Sequence, residues 1–244
     1  MKRNSIFIIG AMFILAGCIA RNSASQERLF SQLNPEEAYF RTSDGWRIHA
    51  DFYPSPKKSL AVILLHQRNG DAKDWLPLIP SLIRAGVSAL AVDQRGAGKS
   101  LGAENGVNAP WDTSKDIEAS VKWLQSRGFN KKGRIALIGA SYGANNALIY
   151  ASKHPDIRKI ILLSPGSNYH GLIAGTAAGA YKGDALVLWS QDDPIVQHGP
   201  QDVRIAMGVR CMLHPFSGDI HGTDMFHADP ACIPLIVRYL IKAH

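Results

Sequence analysis

The chain reads as an α/β protein: a mostly parallel central sheet, opened by an N-terminal antiparallel hairpin, with helices on both faces and no large cap domain. Three observations predict this. Short continuous apolar runs alternate with helix-like stretches, a hairpin pattern precedes the first of them, and no repeat or low-complexity block interrupts the order after residue 33.

Taken in order, residues 38–42 and 46–53 flank Ser43-Asp44-Gly45, a turn sequence that reads as the bend of a hairpin. Apolar runs follow at 62–65, 89–92, 135–138, 160–163 and 186–189. Continuous runs of this kind suit strands covered on both faces, as in a parallel sheet. Helix-like stretches at 75–84, 114–127, 142–153 and 169–180 alternate with them, and 211–213 reads as the last strand. About twenty residues separate the 160–163 run from the 186–189 run, room for one helix and turns. The site is therefore expected to be open.

The N-terminal end reads as an address. Lys2 and Arg3 precede an apolar stretch at 6–16, which is too short to span a bilayer and stops at small residues. The stop, Leu15-Ala16-Gly17-Cys18, resembles the lipobox of bacterial lipoproteins. The resemblance implies cleavage before Cys18 and lipidation of Cys18, with residues 1–17 a signal peptide and 18–33 a lipidated cysteine and polar tether. More than one acyl chain on that cysteine anchors stably. Ile19 stands where an aspartate commonly retains such proteins at the inner membrane, so the pattern implies an exported protein on the outer membrane, facing the periplasm.

Residues 34–244 then form one domain with a sizeable core. Loss of Lys2 and Arg3 takes the formal charge from +7 to +5, and the basic residues never form a run of five. A nucleic-acid partner is not expected; the mildly basic surface suits an anionic membrane. Besides Cys18 the chain holds Cys211 and Cys232, and in an exported protein they are either a disulfide or two buried thiols. Nothing in the sequence bears on oligomeric state.

The chemistry centres on Gly139-Ala140-Ser141-Tyr142-Gly143, a G-x-S-x-G pattern between a strand-like and a helix-like stretch. A serine on a tight strand-to-helix turn has a strained backbone that exposes its hydroxyl, and small neighbours keep the turn from clashing. With this pattern, Ile63-Leu64-Leu65-His66 and the turn Asp93-Gln94-Arg95-Gly96-Ala97-Gly98-Lys99-Ser100, the chain resembles the α/β-hydrolases over most of residues 38–244. Small dienelactone-hydrolase-like and exported esterase-like members look nearest, with serine in place of the cysteine of dienelactone hydrolase.

The resemblance implies a triad in the order Ser, Asp, His. Ser190-Gln191-Asp192-Asp193-Pro194-Ile195-Val196 is similar to the family's G-x-x-D-x-x-V stretch, with Ser190 in place of glycine. Counting from Ser190 makes Asp193 the acid, with Asp192 its rival. Among His214, His221 and His227, only His221 has the family-like setting Gly218-Asp219-Ile220-His221-Gly222. The oxyanion donors implied are the N–H of Tyr142 and that of Arg68, two past His66; Gln67 stands where glycine is usual and is the alternative donor. His66 reads as structural.

No cofactor is expected. Gly96 to Ser100 resembles the end of a phosphate-binding loop, but Asp93 stands where that loop needs its first glycine. The spacing of His214, His221 and His227 matches none of the common zinc patterns, so no metal is expected there. The activity implied is cleavage of a small-molecule carboxylic ester or thioester through an acyl-Ser141 intermediate. A peptidase or acyltransferase would use the same residues, and a non-catalytic binding module would use none.

Overall fold

The computed structural model describes residues 33–57, 59–100 and 110–242. The first two strands, β1 (Glu36–Arg41) and β2 (Arg47–Tyr53), form the expected hairpin, with Glu37 opposite Asp51 and Tyr39 opposite His49. Its bend is closed by hydrogen bonds from Thr42 N to Trp46 O (2.9 Å) and from Gly45 N to Thr42 O (3.0 Å). Gly45 sits at φ 91°, a conformation glycine adopts at little cost.

The apolar runs become β3 (Leu60–Leu65), β4 (Val87–Asp93), β5 (Ile135–Ala140), β6 (Lys159–Leu163) and β9 (Asp184–Ser190), and β10 (Cys211–Phe216) ends the sheet. The spatial order is β1-β2-β4-β3-β5-β6-β9-β10; β1 and β2 are antiparallel to their neighbours, and every pair from β4 onward is parallel. This is the α/β-hydrolase architecture. Alternation along each strand divides the core between the two faces. Ala61, Ile63 and Leu65 join a cluster with Ile117, Leu124 and Leu148, which come from α2 (Ser114–Ser126) and α3 (Tyr142–Lys153).

The same face carries α4 (Ala174–Ala180) and α5 (Gly199–Met207), through Ala178 and Val203. On the other face lie α1 (Ile79–Arg84) and, beyond the short α6 (Met225–Ala228), α7 (Cys232–Ile241). No described helix is long and apolar enough to cross a membrane.

Two expected helices are shorter than the pattern implies. The 75–84 stretch breaks into a 3-10 turn (Ala72–Trp75) and α1, because Pro77 and Pro80 supply no N–H to a continuous helix. The 169–180 stretch begins with a hairpin of β7 (Asn168–Tyr169) and β8 (Leu172–Ile173), and only α4 is helical. His170 and Gly171 both have positive φ, 48° and 89°, the requirement of a tight two-residue hairpin turn. No large cap lies between β6 and β9.

The turn after β4 clamps the hairpin to the sheet. Asp93 accepts from Ala72 N, Lys99 N and the His49 ring, each at 2.8 Å. A Cβ at Gly98 would lie 2.2 Å from the Asp93 carboxylate, so glycine is required there. The Arg95 guanidinium, buried, donates to Asp116 Oδ1 from Nε (2.9 Å) and Nη2 (2.7 Å), and to Asp44 Oδ2 from Nη1 (2.9 Å). A buried charge is tolerable only when paired in this way.

The possible disulfide is corrected: Cys211 and Cys232 are free and buried. Cys211 opens β10 at the level of Ala185, the start of β9, and packs in the cluster with α5. Cys232 opens α7, whose other end reaches the start of β6, where Lys159 Nζ donates to Leu240 O at 3.0 Å. The ten residues of α7 run about 15 Å from Cys232 toward that end of the sheet, and no bond joins the two thiols. The signal-peptide and lipidation readings, on residues 1–17 and Cys18, lie outside the described residues.

Burial pushes the Cys211 thiol up to about 11 and the Cys232 thiol to about 12. The thiolate is the reactive form, so at pH 8 iodoacetamide should leave both unmodified in the folded chain and label both after denaturation without reductant. A Cys211–Cys232 cross-linked peptide in the digest would contradict the free thiols.

Candidate active site

Ser141 stands between β5 and α3 at φ 49°, ψ −113°, a strained conformation for a residue with a Cβ. Its N–H donates to Leu163 O at 2.7 Å, and its carbonyl accepts from Ala144 N at 2.9 Å. The flanking glycines are required by space. A Cβ at Gly139 would lie 2.2 Å from Gly143 O, and one at Gly143 would lie 2.2 Å from Leu65 O. The N–H groups of Tyr142 and Gly143, the first two of α3, have no partner within the helix, and they lie at the positive end of its dipole.

The Asp193–His221 pair is formed. His221 Nδ1 donates to Asp193 Oδ2 at 2.6 Å, and Asp193 Oδ1 accepts from Ile195 N at 3.0 Å. The Asp193 side chain is 0% exposed and that of His221 18%. With Nδ1 committed to the carboxylate, Nε2 is the ring nitrogen left to take a proton. Asp192, the rival acid, is exposed, and its N–H donates to Gly218 O at 2.9 Å. His214 is exposed on β10 beside the Phe216 ring, and His227 is exposed on α6.

Hydrogen bonds carry the histidine loop to the serine's side of the sheet. Gly222 N, next to His221, donates to Ser164 Oγ at 3.1 Å. Ser164 directly follows Leu163, whose carbonyl holds Ser141 N. Thr223 N donates to Gln67 Oε1 at 2.9 Å, which joins the same loop to the segment after β3. A Cβ at Gly222 would strike that Gln67 oxygen at 1.8 Å, so this position too is confined to glycine.

His66 has both ring nitrogens occupied: Gln94 N donates to Nε2 at 3.0 Å, so Nδ1 carries the proton and donates to Gln67 O at 2.7 Å. Burial lowers its pKa, which favours this neutral form. Gln67 O also accepts from Gly70 N at 3.1 Å. In a planar trans peptide the Arg68 N–H points opposite to that carbonyl.

Trp111, Tyr169, His170 and Asn145 lie near the site without a sequence motif to mark them. The Arg68 guanidinium lies 3.9 Å from the centre of the Trp111 ring, and His170 stacks on that ring at 4.0 Å and 3°. Tyr142 and Tyr169 complete the aromatic group, their ring centres 5.6 Å apart. Asn145, buried on α3, fixes the β7–β8 hairpin through Gly166 O (2.9 Å) and Leu172 O (2.8 Å). An asparagine on the buried side of a helix was the available signal, since such a group must find partners.

A cleft of about 870 Å³ opens between the loop bearing Arg68 and Asp74 and the turn at Gly96, with Trp111 and Tyr142 on its wall. It touches Tyr142 but neither Ser141 nor His221, so it runs beside the serine turn and does not enclose it. Burial first, then the charge of Asp71, pushes the Asp74 carboxyl up to about 6.

Comparison with known proteins places this chain among hydrolases. The family model Hydrolase_4, described as serine aminopeptidase, S33, matches residues 56–190, more than half of the chain; the match includes Ser141 and stops before Asp193 and His221. A proline iminopeptidase of Saccharolobus solfataricus is 29% identical over 137 residues, 55% of this chain and 42% of that protein. The uncharacterized protein YfhR of Salmonella typhi is 27% identical over 154 residues, 56% and 51% of the two chains. The chain thus spans about half the length of the curated relatives it matches. Among solved structures, the esterase Pf2001 of Pyrococcus furiosus superposes with a TM-score of 0.74 at 19% identity, covering 87% of this chain and 93% of that one.

The two aspartates offer a direct comparison. Asp193→Asn should lower kcat/KM for a p-nitrophenyl ester by about 10³–10⁴-fold, the scale of losing the carboxylate behind a catalytic histidine. Asp192→Asn should change it by less than about 3-fold. The reverse order would reassign the acid.

Proposed function

As the chain belongs to the Hydrolase_4 family, serine aminopeptidase, S33, within the α/β-hydrolases, we propose that this hydrolase cleaves small-molecule carboxylic esters or thioesters through an acyl-Ser141 intermediate. The observation that carries the reading is the part-buried 2.6 Å hydrogen bond from His221 Nδ1 to Asp193 Oδ2, held on the same end of the sheet as the strained Ser141 turn. A serine hydroxyl becomes a competent nucleophile only when a base takes its proton.

In this mechanism His221 Nε2 accepts the Ser141 proton as Oγ attacks the acyl carbon. Asp193 holds the ring in the right tautomer and stabilises the imidazolium. The Tyr142 N–H, at the positive end of α3, and the Arg68 N–H, turned away from Gln67 O, receive the developing oxyanion. Gln67 N–H is the alternative second donor. The imidazolium then protonates the leaving alcohol or thiol. Water, deprotonated by His221, attacks the acyl-serine; the acid departs and the serine regains its proton.

A peptidase reading has one observation in its favour, the family description together with the proline iminopeptidase relative. The same residues would serve it, and the choice rests on how the site receives the leaving group. For the membrane, we propose that Cys18 carries lipid after cleavage of residues 1–17 and holds an exported enzyme at the outer membrane, facing the periplasm. The Leu15-Ala16-Gly17-Cys18 match supports this.

Steady-state kinetics on matched substrates separates the chemistries. A p-nitrophenyl ester or an acyl thioester should exceed an aminoacyl p-nitroanilide in kcat/KM by at least about ten-fold. Anilide turnover above both would install the peptidase. In cells making the full chain, Cys18→Ser should move the protein from the detergent to the aqueous phase of a Triton X-114 extract; unchanged partitioning would remove the anchor.

A further inference from the structure

The edge hairpin gathers three ligand-type side chains that the mechanism does not use. His49 and Asp51 are two residues apart on β2 and so project from the same face, and Glu37 on β1 lies directly opposite Asp51. One donor atom of each lies within 4.8 Å of the others. His49 Nε2 is 3.5 Å from Asp51 Oδ1 and 3.8 Å from Glu37 Oε1.

The histidine supplies an independent observation. Its side chain is 2% exposed, and Nδ1 donates to Asp93 Oδ2 at 2.8 Å. Both Asp93 oxygens also accept backbone N–H groups, from Ala72 and Lys99, so this carboxylate is an acceptor and fixes the proton on Nδ1. Nε2 is left buried, aimed at two carboxylates and without a hydrogen-bond partner. Native proteins seldom leave a buried polar atom in that condition.

We propose that Glu37, His49 and Asp51 bind a divalent cation of the zinc class, with water completing the coordination. Bonds of about 2.0 Å to a tetrahedral ion set donors about 3.3 Å apart, so the observed 3.5 and 3.8 Å need only a few tenths of an ångström of closure. A carboxylate behind the other ring nitrogen is the usual support of a metal-binding histidine, and Asp93 is in that place. Imidazole among the donors favours zinc over magnesium or calcium.

Lys99 Nζ forms an ion pair with Glu37 Oε1. The two side chains are 55% and 51% exposed, so the ammonium competes with a metal from the solvent side and can swing away. A bound ion would tie β1 to β2. Through Asp93 it would also tie them to the turn after β4 and to the Ala72 end of the loop that bears Arg68.

The test uses the full chain, stripped with chelator and titrated with ZnCl₂ by calorimetry and by thermal melting. One zinc should bind per chain and raise Tm, as a ligand selective for the folded state must. MgCl₂ at the same concentration should leave Tm unchanged. Asp51→Asn and His49→Gln should each weaken zinc by at least about ten-fold. Lys99→Met, a change at an exposed side chain, should tighten it several-fold and leave ester turnover unaltered. Absence of zinc binding by the folded wild type overturns the site. So does zinc affinity unchanged in Asp51→Asn and Lys99→Met, or magnesium binding as strong as zinc, which would mean that the imidazole is not a ligand.

Discussion

A serine at φ 49°, ψ −113° survives at the end of a strand only where its surroundings leave the backbone no easier course, and the site of this hydrolase is built around that constraint. The conformation costs on the order of 1–3 kcal/mol. It is held by hydrogen bonds on both sides of the residue, to Leu163 and from α3, and by backbone packed against backbone at Gly139 and Gly143. The close approach has a chemical consequence. With Gly143 against the carbonyl of Leu65, the start of α3 lies beside the end of β3, and the Tyr142 N–H shares that end of the sheet with the loop of Gln67 and Arg68.

The rest of the site is brought to this turn by side-chain-to-backbone bonds, and each loop is held by residues of another. Ser164, itself at φ 49°, receives Gly222; Gln67 receives Thr223; Asp193 receives both Ile195 N and the His221 ring. Loops anchored at several points lose little freedom when the transition state forms, which is how preorganised hydrogen bonds act in catalysis. Asp93 does the same for the opposite rim. It binds the His49 ring and the Ala72 and Lys99 N–H groups, and so connects the edge hairpin with the loop beyond Arg68.

Much of this was legible in the chain because it depends on near neighbours in sequence. Continuous apolar runs marked the parallel strands, and Gly139 to Gly143 marked the serine turn, since both reflect constraints a few residues long. The 75–84 and 169–180 stretches depart from continuous helix where local chemistry outweighs apolar content: two prolines break the first, and His170-Gly171 turns the start of the second into a hairpin. The Cys211–Cys232 disulfide does not form, since one thiol is buried at the start of β10 and the other at the start of α7, a placement that spacing along a chain does not encode. Arg68 on Trp111, Gln67 on the histidine loop and the Glu37–His49–Asp51 cluster were invisible for the same reason. Their members meet through strand pairing and loop packing, and no spacing along the chain announces them.

The proposed chemistry stands or falls with Ser141 as an activated nucleophile. Intact-mass measurement after exposure of the folded chain to a fluorophosphonate tests it most directly. A single adduct is expected on Ser141, absent from Ser141→Ala and strongly slowed in His221→Ala, because only a serine relieved of its proton by a neighbouring base reacts readily with the probe. A folded wild-type chain that takes up no probe, or one labelled equally well in Ser141→Ala, would contradict it.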